Sequence, residues 1–144
     1  NYDVTGSKLE GIVKPYTIIR RGNLRIGVFG LGVNPKGLVA ERNFAPLTYL
    51  DPTTAAQEVA DLLKNKRRCD LVICLSHQGT YSNPHGIASD EDLAKATRNI
   101  DIIIGAHTHK MVENLFVNNL DGDSVLLMQT GKAGARIGKI SVKI

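Results

Sequence analysis

The feature that most constrains the fold is a unit that occurs twice, in which an aspartate, an apolar run and a small residue lead to a histidine. Its copies are Asp70–His77 and Asp101–His107. The apolar runs, Leu71–Leu75 and Ile102–Ile104, predict strands of the kind that parallel sheets bury on both faces. Ligands of α/β sheets bind outside the carboxyl ends of strands. Two neighbouring strands are therefore predicted to deliver one histidine each to a common site.

The histidines of the chain favour a metal site at that position. Three of the four belong to the arrangement, namely His77, His107 and His109. Positions i and i+2 of an extended backbone point to the same side, so the last two rings are expected to enter one site. Neutral imidazoles suit Zn, Mn, Fe, Ni or Co ions. The fourth, His85, lies between Pro84 and Gly86, which mark a turn, and is predicted to be an ordinary loop residue.

Two helices have clear start signals. Asp51 is a predicted N-cap with Pro52 at the first helical position, and the helix is expected to end in a basic cluster that complements its dipole. That cluster is Lys64, Lys66, Arg67 and Arg68. The run Ser89–Asp92 has the capping-box pattern and predicts a short helix to about Asn99.

The remaining segments predict strands and loops. Tyr16–Arg20 and Leu24–Leu31, joined by a glycine-containing turn, are typical of a hairpin. The tail predicts three more strands, at about 113–117, 124–129 and 136–144. Residues 1–14 are expected to form a lead-in loop, and residues 32–50 a long loop with a short extended stretch. Together these elements indicate an α/β domain.

Composition excludes several classes of protein. The chain is 42% apolar and 22% charged, without an apolar run near the roughly 20 residues that span a bilayer. Its net charge of +4 comes from scattered basic residues that are not interleaved with aromatics, so nucleic acid is not an expected partner.

Cys69 and Cys74 are predicted to lie on one strand, too far apart to pair with each other. The chain starts at Asn1, so we expect it to be a piece of a longer protein.

The motifs also resemble a known family. Ser76-His77 followed by Gly105–His109 resembles the last two metal-binding motifs of calcineurin-like metallophosphoesterases. Flanking segments narrow this resemblance to the 5'-nucleotidase branch. They are Lys14–Ile18 before a hairpin, Asp51-Pro52 at a helix start, Ser76–Gly79, and Gln129–Gly131 leading to Ile137–Ile140.

The resemblance implies a fold, an activity and a set of ligands. Residues 1–144 would form the C-terminal half of the catalytic domain, a four-layer αββα sandwich with a mixed sheet. The complete enzyme would hydrolyse phosphate monoesters, 5'-nucleotides in particular, with water activated by two divalent metal ions. His77 and His107 would bind one ion and His109 the other. A periplasmic or secreted location is implied by the family alone.

The rest of the family's site is not found in this chain. Its Asp-x-His and Gly-Asn-His motifs do not occur, and Gly122-Asp123 is typical of a hairpin turn rather than of a bridging ligand. Three neutral imidazoles do not offset the repulsion between two dications. The chain alone is therefore expected to hold one ion weakly and to be inactive. It carries no predicted catalytic residue, and its expected partner is the N-terminal half of the domain.

One alternative stays open. The chain could be a non-catalytic half-domain or a metal-binding subunit that needs a partner segment, an interpretation that the missing ligands favour. The substrate is not indicated by the sequence, because in related enzymes a separate C-terminal domain holds most of the nucleoside.

Overall fold

The computed structural model describes residues 1–81 and 88–143. The strands are β1 Tyr2–Asp3, β2 Tyr16–Arg21, β3 Leu24–Leu31, β4 Thr48–Tyr49, β5 Leu71–Ser76, β6 Ile102–Ile104, β7 Met111–Asn118 and β8 Ser124–Thr130. The α-helices are α1 Pro52–Asp61, which continues as a π-helix over Leu62–Lys66, and α2 Asp90–Ala96. A short 3-10 helix covers Glu41–Asn43.

Six of the strands form one mixed sheet, in the order β2-β3-β5-β6-β8-β7. The four central strands are parallel, and β2 and β7 pair antiparallel at the two edges. The predicted hairpin of β2 and β3 is confirmed, as are the two strands of the repeated unit, which are direct neighbours. The α/β class predicted from the sequence is therefore confirmed.

The aspartates of the repeated unit fix the strand register at the end of the sheet opposite the histidines. Asp70 accepts a hydrogen bond from the Arg25 N–H at 2.7 Å, and Asp101 accepts one from the Val72 N–H at 2.7 Å. The backbone N–H of each aspartate also donates to the carbonyl of the same partner residue. Each copy of the unit thus attaches to the preceding parallel strand in the same way.

Both α-helices pack on one face of the sheet. The core cluster joins Ala56, Ala60 and Leu63 of the first helix and Leu93 of the second to inward strand residues. These strand residues include Phe29, Val72, Cys74, Ile103 and Leu127. Close packing requires a glycine at position 27, because a Cβ there would lie 2.9 Å from Leu63 Cδ2. The core therefore lies between this face and the helices.

The opposite face is apolar but is not covered by the described parts of the chain. Leu75 is 48% exposed and its register partner Ile104 is 38% exposed. Phe116 is 61% exposed on the same face. Within this chain the central strands are therefore covered on the helix side alone, although Ile102 is buried between its neighbours. The reason is that neither α-helix packs on this face.

The predicted helix starts are confirmed. The Asp51 carboxylate accepts from the Thr54 N–H at 2.8 Å, and Ser89 and Asp92 form a reciprocal capping box. The second helix ends earlier than expected, at Ala96. Thr97 is extended, and its hydroxyl donates to the Leu93 carbonyl at 2.7 Å, which satisfies an acceptor of the last turn.

Three further expectations are corrected. Within the described part of the tail, residues 136–143 form no strand, because no neighbouring strand pairs with them, and Ile137 is 97% exposed. The lead-in segment contains β1, which pairs with β4. Cys69 lies before β5 rather than on it, and both cysteines are free and buried.

No helix in the described ranges has the length and apolarity that crossing a bilayer requires.

Candidate functional site

Two loops lie side by side at the carboxyl end of the sheet, because they follow the parallel neighbours β5 and β6. The His77 N–H donates to the Leu31 carbonyl at 2.9 Å, which extends the pairing of β5 with β3 by one residue. The Gly105 N–H donates to the Met128 carbonyl at 2.7 Å, which does the same for β6 and β8. We call residues 77–80 the first loop and residues 105–110 the second loop. Each begins where a central strand ends.

The structure brings together the histidines that end the repeated units. The ring centroids of His77 and His107 are 5.2 Å apart, and their planes meet at 63° in an edge-to-face contact. His107 is half-buried and His77 is exposed, so the pair opens toward solvent. The predicted meeting of these two imidazoles at one sheet edge is therefore what the structure shows.

His109 reaches the same region by a backbone path that differs from the predicted one. His107 and His109 have φ values of 72° and 55°, so the second loop is left-handed at both positions and is not extended. The alternation argument for these two rings is therefore wrong. The reason is a tight turn, in which the Thr108 N–H donates to the Ala106 carbonyl at 2.9 Å.

The three imidazoles nevertheless interact electrostatically. Partial desolvation lowers the pKa of His77, and electrostatic repulsion from His107 and His109 lowers that pKa further. Neutral His77 is thus favoured by its surroundings, and the neutral ring is the form that binds a metal.

The two loops are in direct contact. Gly79 has a φ of 98°, and a Cβ at that position would lie 2.8 Å from Thr108 Cγ2 and 3.6 Å from His107 Cδ2. Only a residue without a side chain fits both the backbone angle and this approach. Gly79 therefore allows the first loop to pack against the second, which carries two of the histidines.

A buried polar group lies beneath these loops on the helix side of the sheet. Gln129 is 1% exposed, and its side-chain amide bonds to both loops. Asp90 is fully buried, and neither of its carboxylate oxygens has a hydrogen-bond partner within the described ranges. Burial raises the pKa of Asp90 to about 6, and the Ser76 hydroxyl, which lies near the carboxyl without forming a hydrogen bond of good geometry, opposes this shift. A Cβ at Gly105 would lie 2.4 Å from Asp90 Oδ2, so glycine is required where this carboxyl meets the second loop.

The donor set suits a divalent ion in chemistry but is incomplete in number. The pair of imidazoles is of the type that Zn and similar ions prefer. In the described part of the chain, however, no group of three or more His, Cys, Asp or Glu side chains is arranged to hold an ion by itself. Ligands from outside the described residues would have to complete the site.

Several residues of this edge have no role that the sequence predicts. They are Gln129, Asp90, Thr80 and Thr108. The signal for Gln129 was present, because it continues the inward alternation of Val125 and Leu127 and so places an amide in the core. Asp90 gave no such signal, since an acidic residue in a first helical turn is ordinary. His85 lies outside the described residues.

The fold of the chain is shared with nucleotidases of known structure. The structure of the NAD nucleotidase NadN from Haemophilus influenzae matches 87% of this chain and 26% of its own length, with a TM-score of 0.67 and 22% sequence identity. At this level of identity the similarity concerns the fold.

Two characterised relatives match at the level of sequence. The trifunctional nucleotide phosphoesterase protein YfkN of Bacillus subtilis is 26% identical over 95% of this chain and 9% of its own length. A 5'-nucleotidase of Vibrio cholerae is 30% identical over 77% of this chain and 21% of its own length. This chain therefore spans less than a quarter of the length of either relative.

A family model covers most of the chain and includes both loops. Residues 8–111, more than half of the sequence, match the calcineurin-like phosphoesterase model. Its boundaries contain His77, His107 and His109, so the resemblance drawn from the histidine motifs is confirmed. The chain belongs to the calcineurin-like phosphoesterase family, and its relatives include 5'-nucleotidases.

Proposed function

We propose that this chain is the C-terminal half of the catalytic domain of a metal-dependent phosphoesterase that hydrolyses phosphate monoesters, with 5'-nucleotides as the first substrates to test. The observation that carries the proposal is the contact between His77 and His107, at 5.2 Å between ring centroids, where two neighbouring parallel strands end. Two imidazoles at one solvent-facing sheet edge, in a member of this family, are best explained as ligands.

The family resemblance implies the roles of the histidines. His77 and His107 would hold one divalent ion and His109 a second, with Zn, Mn, Fe, Ni or Co as candidates. When bound, two such ions supply Lewis acidity toward water and the phosphoryl oxygens. The histidines themselves supply lone pairs and no negative charge. In hydrolysis the water oxygen bonds to phosphorus, the ester P–O bond breaks, and the leaving alkoxide takes up the proton that the water loses.

The apolar face of the sheet supports an N-terminal half of the same domain as the partner. Leu75 and Ile104 lie on this face next to the strand ends that carry the site. A second layer packed there would bury these residues and bring its own loops to the same edge. Carboxylates from that layer would reduce the repulsion between two ions, which neutral imidazoles cannot do. A periplasmic or secreted location fits the family resemblance and belongs to the same proposal.

The test uses the complete product of the gene that encodes this chain. Purified protein is assayed for bound metals and for release of phosphate from 5'-AMP, before and after chelation. We expect chelation to abolish activity and a divalent ion to restore it. His77→Ala and His107→Ala are each expected to reduce activity at least 100-fold, because each removes a direct ligand.

Thr97→Val is the matched control for these variants. Thr97 is fully buried, and among the described residues its hydroxyl bonds to the Leu93 carbonyl of the second helix alone. This variant is expected to lose stability and to keep activity. Full activity of the two histidine variants with unchanged metal content would refute the proposal.

A second candidate is a non-catalytic half-domain or metal-binding subunit. It is favoured by the absence of a complete set of ligands within the described residues. If the complete gene product binds a divalent ion through these histidines and releases no phosphate from nucleotides or p-nitrophenyl phosphate, this second function is the correct one.

A further inference from the structure

The side-chain amide of Gln129 makes all of its described hydrogen bonds to the two loops. Its Nε2 donates to the Ala106 carbonyl and to Thr80 Oγ1, both at 2.8 Å. Its Oε1 accepts from the Lys110 N–H at 2.6 Å and from Thr108 Oγ1 at 3.2 Å. A glutamine side chain has two N–H donors and an oxygen with two lone pairs. The full hydrogen-bonding capacity of this side chain is therefore used on the loops.

These bonds are made by the residues that flank the two histidines of the second loop in sequence. Ala106 directly precedes His107, and Lys110 directly follows His109. Both ends of a turn that has left-handed backbone at each histidine are thus attached to one rigid side chain. The bond to Thr80 connects the same amide to the first loop, three residues after His77. One buried amide is consequently hydrogen-bonded to both of the loops that carry the three imidazoles.

Gln129 belongs to a strand that is paired in the sheet. It lies near the end of β8, and its neighbour Met128 pairs with Ile104 of β6 and accepts the hydrogen bond from Gly105. The bonds of Gln129 are formed in an almost fully buried position, 1% exposed, where water does not compete. An apolar residue of the same size would fill the space but would leave the Lys110 N–H without this acceptor.

A purely structural role would produce a different pattern of bonds. Thr97, an equally buried polar residue, bonds to a carbonyl of its own helix. Gln129 bonds to no residue of either helix and to no residue of the core in its described contacts. Its position under the site, rather than its contribution to the core, explains why a glutamine occurs here.

We infer that Gln129 is a positioning residue that holds the loops carrying His77, His107 and His109 in the geometry needed to bind a metal ion. None of its described hydrogen bonds goes to a histidine ring, and it acts through the backbone of the second loop and through the hydroxyls of Thr80 and Thr108. The inference rests on the metal-binding function proposed above for these histidines.

The test measures cobalt binding to the complete gene product. Co²⁺ is titrated into metal-free protein, and its visible absorption reports both affinity and ligand geometry. Gln129→Met preserves volume and removes every hydrogen bond of the amide. We expect it to weaken Co²⁺ binding about tenfold and to change the absorption spectrum. Thr97→Val, the matched buried control, should leave both the affinity and the spectrum unchanged.

A second variant and a second measurement keep the inference falsifiable. Thr108 is exposed, and Thr108→Val removes its 3.2 Å bond to Gln129 together with two longer bonds, one from the Thr80 N–H at 3.4 Å and one to the Thr80 hydroxyl at 3.5 Å, while every other bond of the Gln129 amide is kept. A smaller loss of affinity, about twofold, is expected. Amide hydrogen exchange at Lys110 reports the hydrogen bond from its N–H to Gln129 Oε1 and requires no metal. Gln129→Met should accelerate this exchange at least tenfold, whereas Thr97→Val should not.

The outcomes separate the two proposals. If the wild-type protein binds no Co²⁺, the proposed function fails, and the exchange rate at Lys110 alone decides whether Gln129 holds the loops. If the wild-type protein binds Co²⁺ and Gln129→Met binds it equally well with the same spectrum, the positioning role is overturned. Equal losses in Gln129→Met and Thr97→Val would also overturn it, because they would reflect general destabilisation.

Discussion

The two faces of the central sheet are built from alternate residues of the same strands, yet they differ sharply in burial. Cys74, Ile103 and Leu127 form a register row on the helix-covered face and are fully buried. One residue further along, Leu75 and Ile104 are 48% and 38% exposed on the face that neither helix covers, which we call the open face. Residue type does not cause this difference, because both rows are apolar. Coverage by the helices causes it.

The path of the chain explains why both helices lie on one face. The first helix connects β3 to β5 and the second connects β5 to β6, so both crossovers move in the same direction along the sheet. Crossovers between parallel strands are right-handed in almost all proteins, and two that move in one direction must lie on the same side. The connection from β6 to β8 passes through β7 and supplies no helix.

The largest expected contrast is between Leu127 and Leu75. Leu127→Ala removes a fully buried side chain and should lower the free energy of unfolding by about 3 kcal/mol. Leu75→Ala, on the open face, should lower it by less than about 1 kcal/mol in the 144-residue chain. Urea denaturation measures both. Equal losses in this chain would contradict the comparison. In the complete gene product, a larger loss for Leu75→Ala would indicate that another layer covers the open face.

The next effect concerns the buried carboxyl on the covered face. The pKa of Asp90 is raised to about 6, so the folded state binds a proton more tightly than the unfolded state. The contribution of this carboxyl to the free energy of unfolding is fully present below pH 4, where the group is protonated. It is lost as the pH rises through about 6. The loss approaches about 3 kcal/mol. Asp90→Asn should therefore be more stable than wild type at pH 8 and similar at pH 4. A denaturation series in which both proteins show the same pH dependence would argue against this assignment.

A smaller effect is expected at the start of the first helix, which helps to cover the buried face. Asp51→Ala removes the acceptor for the Thr54 N–H and hydroxyl, both at 2.8 Å, and should cost about 1 kcal/mol of stability. Glu58→Ala, in the exposed middle of the same helix, is the control and should change stability by less than about 0.5 kcal/mol. Thermal denaturation of the two variants tests the difference.

The smallest effect compares adjacent residues of β7 that point to opposite faces. Phe116 is 61% exposed on the open face, and Phe116→Thr should change the free energy of unfolding by less than about 0.5 kcal/mol. Leu115 packs against the core cluster, so Leu115→Thr should be clearly destabilising. A larger loss for Phe116→Thr than for Leu115→Thr in the isolated chain would mean that the assignment of faces is incorrect.

The local signals in the sequence were sufficient to predict most elements and the central pair of the site. The apolar runs, the capping residues Asp51 and Ser89, and the glycine turn of the hairpin each act over a few residues, so they could be recognised one at a time. The meeting of His77 and His107 was also predictable, because parallel neighbours necessarily bring their carboxyl ends to one edge. The strand expected at 136–144 lacked such support, since a strand needs a partner that alternation alone does not reveal.

Other features depended on contacts between residues distant in sequence, and only the tertiary structure decided them. The left-handed backbone at His107 and His109 occurs in a loop whose two ends are hydrogen-bonded to Gln129, a residue of another strand. The absence of cover over Leu75 and Ile104 follows from the shared direction of two crossovers. Local patterns indicate which side chains can be buried and where helices begin. They do not express which face receives a helix or which distant amide fixes a loop, because those energies arise only after the strands have paired.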